Sequence, residues 1–174
     1  MFDPTAYENI KVVLEGLIYD FDLQGEIVVI ERNDLVNLAD FSRTFNLSFS
    51  FHEDKKQTFI GKIEIHSTFK QIISEWTLIN EIPGSELKLQ FIINKPLNEI
   101  LEKRIHKYLR TKFGNDFEVE WVKEMYSNQA IVYHFQLRKY DFLTEQTIDL
   151  LSEDIEIMMS AYEDIFEMLK SFNM

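Results

Sequence analysis

Residues 45–51 read FNLSFSF, and the fold turns on how this stretch is read. Phe45, Leu47, Phe49 and Phe51 alternate with Asn46, Ser48 and Ser50. Alternation with period two is the pattern of a strand with one face in a core. The second face is unusual, because it is small and uncharged where a solvated strand carries Lys and Glu. Short hydroxyl and amide groups cost less to desolvate than long charged side chains. The sequence therefore marks Thr44, Asn46, Ser48 and Ser50 as a low-charge surface that stays wet in the free protein and receives a partner. Ordinary strand pairing of Ser and Thr, or cover by residues 68–82, are the plainer explanations.

Working outward, EDKKQ (53–57) is a charged turn, and Phe59, Gly61, Ile63 and Ile65 alternate after it. Setting Leu47 opposite Ile63 and Phe45 opposite Ile65 gathers the apolar residues on one face, which is what selects a register. The polar face then continues onto Thr58, Ile60 and Lys62. Upstream, EIVVIE (26–31) is a short β-branched strand. Before it, Tyr7, Ile10, Val13, Leu14, Leu17, Ile18 and Phe21 predict a helix over 4–22, with Asp3 as cap and Pro4 in the first turn. Gly16 inside that helix costs about 1 kcal/mol relative to Ala and points to close packing. Gly25 ends it.

Downstream, Phe69, Ile72, Ile73, Trp76 and Ile79 fit a helix over 68–79, although Ile, Thr and Trp also suit a strand. IPGSE (82–86) is a turn and LKLQFII (87–93) a strand. A helix over 96–113 opens at Pro96 and closes at Gly114, acidic early and basic late. FEVEWVKEM (117–125) and QAIVYHFQLR (129–138) form a hairpin that sets Trp121 against Phe135, Val119 against Leu137 and Glu118 against Arg138. The last helix, 144–172, carries a seam of Ile148, Leu151, Ile155, Met158, Tyr162, Ile165, Leu169 and Phe172, and its exposed positions are acidic.

Strands joined by short turns are antiparallel, and each is apolar on one face only. The fold class is α+β: a single domain over 1–174, an antiparallel sheet with helices packed on one face, and a long C-terminal helix. This order of elements is similar to that of small acidic secretion-chaperone-like domains, which run helix, three strands, helix, two strands, helix. The resemblance implies a chaperone-like, protein-binding role. Residues 68–95 hold at least one element beyond that order.

Composition narrows the chemistry. With no cysteine among 174 residues, disulfides, thiol catalysis and thiolate metal sites are excluded. A formal net charge of −12 repels phosphate and argues against nucleic acid, while favouring a basic protein partner. No apolar run is long enough to span a bilayer and no signal sequence is visible, so no membrane association and a cytoplasmic location are expected. Five scattered glycines form no phosphate loop.

His52 lies at a charged turn, His66 at a strand end opposite Thr44, and His106 on the basic helix; no HExxH or HxH spacing occurs. His134, opposite Val122 and diagonal to Glu120 and Glu124, is the one candidate polar cluster, with a cross-strand charge pair as its plain explanation. Neither metal nor cofactor is expected. The reading is a non-catalytic protein-interaction module: an adaptor, a chaperone or an inhibitor of the immunity type. The alternative is an enzyme or small-molecule binder with a pocket inside the Phe-rich core. Met159, Phe166 and Met168 extend the apolar stripe of the last helix and are the expected interface of a homodimer.

Overall fold

The computed structural model describes residues 5–74, 77 and 83–172. Helix α1 spans Ala6–Leu23 and begins where the Thr5 hydroxyl accepts from the Glu8 amide at 3.3 Å. That bond satisfies one of the donors a helix start leaves open, so Thr5 is the cap. Asp3 and Pro4, read as cap and first turn, lie outside the described residues. Gly25, at φ +78°, turns the chain out of the helix. Gly16 is exposed, and a Cβ there would meet nothing within 4 Å, so the close packing inferred from it does not exist.

Strands β1 (Val28–Asn37), β2 (Ser42–Ser50) and β3 (Phe59–Ser67) follow. β1 runs beyond the expected residue 31 because pairing with β2 carries it to Asn37 through Asn33 and Asp34, residues of poor strand propensity. Phe45 faces Ile65 and Leu47 faces Ile63, as the apolar pattern requires. Helix α2, Phe69–Ile73, opens on a capping box between Thr68 and Gln71. The helical reading of 68–79 therefore holds for its first part; Trp76 and Ile79 lie outside the described residues. β4 is Glu86–Ile93 and α3 is Glu99–Phe113. Asn98, not Pro96, starts α3, its Oδ1 accepting from the Leu101 amide at 2.7 Å. β5 (Phe117–Met125) and β6 (Ile131–Lys139) pair in the expected register, and a 3-10 turn at Glu145–Thr147 leads into α4, Ile148–Ser171.

The six strands form one antiparallel sheet in the order β1-β2-β3-β4-β6-β5. β4 lies in its middle, so the element beyond the secretion-chaperone-like order is central to the sheet rather than appended to it. Helices α1, α3 and α4 bury their apolar stripes against one sheet face in a single core. Tyr162 stands at its centre. Its hydroxyl donates to the Phe59 carbonyl at 2.8 Å, and its ring stacks on Phe59 and Phe51 at 4.3 and 4.6 Å. Glycine is required at position 61 because the Phe49 ring occupies the place of a Cβ there. The high Phe content is thereby accounted for by packing: rings from β2, β3, β4, α3 and α4 fill one another's gaps.

A candidate docking groove between the first and last helices

α1 and α4 lie side by side in the same direction. Asn9 bonds to Glu145 at one end, and Phe21 comes beside Met159 at the other. On α4, Glu156, Met159, Ser160 and Glu163 follow the i, i+3, i+4, i+7 spacing that places them on one stripe. Opposite stand Phe21, near the end of α1, and Glu26, brought round by the turn at Gly25. Phe51, just past β2, closes the base. Together these residues line an open groove of about 550 Å³.

The groove has an apolar floor and an acidic rim. Met159 is 9% exposed, and Phe51 is held by stacking on Tyr162 and by a tilted ring contact with Phe166 at 4.5 Å. The floor is thus anchored in the core. Glu26, Glu156 and Glu163 are all exposed and make no ion pair among the described residues. The ammonium of Lys112 on α3 donates to the Ser160 hydroxyl at 2.9 Å and lies 3.4 Å from the Asp164 carboxylate. Arg104, Lys107 and Arg110 of α3 are exposed and form no ion pair among the described residues; α3 is tied to α4 by Lys112 and by the Tyr108 hydroxyl, which donates to Asp164.

The low-charge sheet face has a different character from the one its sequence implies. Asn46, Ser48 and Ser50 are buried, at 4%, 4% and 1% exposure, rather than wet. Being short, they sink between longer side chains of the strands on either side. Asn46 accepts from Asn33 at 3.1 Å, Ser48 donates to Glu31 at 3.4 Å, and Thr44 meets His66 Nδ1 at 2.9 Å. Thr58 is engaged in the β2–β3 turn, where its hydroxyl donates to Asp54 at 3.0 Å. Ile60 and Lys62 do adjoin Ser48, and with Glu31 and Ile92 they line a shallow depression. The charge missing from β2 is supplied by its neighbours β1 and β3.

Sequence reasoning also joined His134, Glu120 and Glu124. His134 Nε2 lies 3.5 Å from Glu124 Oε2 but makes no hydrogen bond, and Glu120 forms no ion pair with it. The two side chains are diagonal cross-strand neighbours, on residues paired with Val122 and Val132. Among the described residues no group of three or more His, Asp or Glu is arranged to hold a metal ion. Met159, Phe166 and Met168 all pack on the chain's own core, which accounts for their apolar character without a second subunit. Of these, Met159 also lines the groove. Phe21, Glu26, Phe51, Glu156, Ser160 and Glu163 went unrecognised. The α4 stripe was visible in the spacing, but nothing in the sequence joined it to Phe21 and Glu26.

Comparison with known proteins finds no matching family model, no matching curated protein and no matching solved structure. No described helix is long and apolar enough to cross a membrane.

Proposed function

We propose that this protein is a non-catalytic protein-interaction module that holds a basic, apolar-anchored segment of a partner protein in the groove between α1 and α4. The observation that carries this reading is the set of three exposed, unpaired carboxylates, Glu26, Glu156 and Glu163, around the floor of Phe21, Phe51 and Met159. An apolar anchor entering the groove removes the half-buried Phe21 and Phe51 from water, and Lys or Arg on either side meets the rim. The net charge of −12 draws such a segment in from a distance, and salt weakens that attraction. No observation favours the alternative of a ligand pocket inside the core, where the space around Tyr162 is taken by Phe49, Phe51 and Phe59.

The test is site-directed cross-linking. A photoreactive group at Ser160 is used to capture partners in extracts of the source cell, and the captured segments are sequenced. The expected segment is rich in Lys and Arg with a large apolar residue among them. Its capture falls by about tenfold or more, 1.4 kcal/mol, in Glu156→Lys/Glu163→Lys. Capture of an acidic segment, or undiminished capture by the folded double variant, overturns the reading.

A further inference from the structure

β5 is an edge of the sheet, paired only with β6. Its register runs unbroken from Phe117↔Lys139 to Met125↔Ile131. A straight, regular edge strand presents a row of unpaired backbone donors and acceptors on its outer side. Every residue from Glu120 to Ala130 is exposed, so neither a helix nor a loop covers the outer half of this strand among the described residues. Alternation puts Glu118, Glu120, Val122 and Glu124 on the face away from the helices, and Val119, Trp121 and Lys123 on the helix side. Trp121 is 38% exposed and Val122 47%. Arg138 stands opposite Glu118, and Tyr126 donates to Glu124 at 2.7 Å; Glu120 has no ion-pair partner among the described residues.

We infer that β5 accepts an extended segment of a partner protein as an added strand. The segment carries Lys or Arg at alternate positions against Glu118, Glu120 and Glu124, and an apolar residue beside Trp121. Backbone bonds along the edge supply affinity, and alternate side chains supply selectivity. Opposite charges across a strand pair add to it, while like charges subtract. The same rule disfavours a second copy of this chain. Antiparallel pairing of β5 with itself in the registers of greatest overlap, centred on Glu120, Trp121 or Val122, sets Glu120 against Glu120, Glu118 against Glu124, or Glu120 against Glu124. This site is separate from the α1–α4 groove and does not depend on it.

The experiment is amide hydrogen exchange on the full chain with an end-blocked nine-residue peptide of alternating Lys and Val. Exchange is expected to slow at alternate amides within Phe117–Met125 and to stay unchanged in Val28–Asn37. In Glu118→Lys/Glu120→Lys the peptide concentration needed rises about tenfold or more, while the variant's own protection in β4 and β6 shows that it is folded. A peptide of the same composition with its Lys residues clustered at one end gives weaker protection. Four results overturn the inference: no protection of β5 at millimolar peptide, equal protection of β1, protection lost in Glu156→Lys/Glu163→Lys but not in the β5 variant, or protection that grows with protein concentration when no peptide is present. The last assigns the edge to a second copy.

Discussion

Strands β1 and β5 are the two edges of one sheet and share one hazard, an unpaired row of backbone groups that invites other strands. β1 is as exposed as β5 over Asp34–Asn37, but it carries several devices that disfavour an added strand. Its register shifts between Val29 and Glu31, which bends and twists the edge. Arg32 and Asp34 face the helices, where an apolar pair would otherwise be expected, and both are tied to α1: Arg32 to Glu15 at 2.5 Å and Asp34 to Lys11 at 2.9 Å. Arg43 of β2 joins the same network, bonding Glu8 at 2.5 Å with its guanidinium 4.4 Å from the centre of the Tyr7 ring. β5 has no register shift, and its ionic tie to a helix is Lys123 to Glu102 at 3.0 Å. One edge is strapped to a helix by a charge network. The other keeps an unbroken register, with acidic and aromatic side chains in water. The contrast in register and in ionic ties, rather than in exposure, is what marks β5, and not β1, as an edge for recognition.

The largest expected effect comes from cutting the β1 strap. Arg43→Met leaves Glu8 and Asp34 facing each other with Lys11 alone between them, and is expected to cost about 2 kcal/mol, the range for hydrogen bonds to charged groups. Urea unfolding followed by circular dichroism measures it. On β5, Glu120→Gln is expected to change stability by less than about 0.5 kcal/mol, as for exposed sites. Equal costs at the two positions break the comparison.

A second test uses acid. Burial pushes the Glu8 and Asp34 carboxyls up, but hydrogen bonds and charge from Lys11 and Arg43 outweigh it and hold both below their ordinary range. A depressed folded value stabilises the fold above the unfolded carboxylate pKa of about 4. That stabilisation drains away as the pH falls through the lower folded values. Wild type is therefore expected to lose more stability than Arg43→Met between about pH 5 and pH 2, since the variant has already lost much of the strap. Parallel curves count against a strap of this strength.

The smallest effect concerns the helix that carries the strap. Gly16 lies exposed inside α1 with free space at its Cβ position. Gly16→Ala is expected to raise stability by about 0.5–1 kcal/mol through helix propensity alone. A thermal melt that moves downward instead means that the site is not open.

Hydrophobic periodicity was strong enough to read most of the architecture. The registers of β2 with β3 and of β5 with β6 were legible because a one-residue slip sends Phe45, Leu47 or Trp121 to the wrong face. The helical stripe of α4 was legible for the same reason at a different period. The second half of β1 was not, because Arg32, Asn33 and Asp34 have no strand preference of their own and are extended by pairing with β2 and bonding to α1. The caps at Thr5 and Asn98 were misplaced by a few residues, since several nearby residues can cap and only the backbone path selects one.

The low-charge face of FNLSFSF shows where local reading ends. By itself the sequence determined that Phe45, Leu47 and Phe49 are core and that Asn46, Ser48 and Ser50 lie opposite, because period-two alternation permits nothing else in a strand. Whether those small polar groups meet water was decided by strand neighbours distant in sequence, whose longer side chains enclose them. The groove is the same case at larger scale. Its residues come from α1, the turn after it, the end of β2 and α4, and each segment alone reads as ordinary helix or turn. Local patterns set which face of each element is apolar, because that depends only on backbone period. Which faces meet, and which carboxylates are left without a cation, depends on distances across the chain that only the packed structure sets.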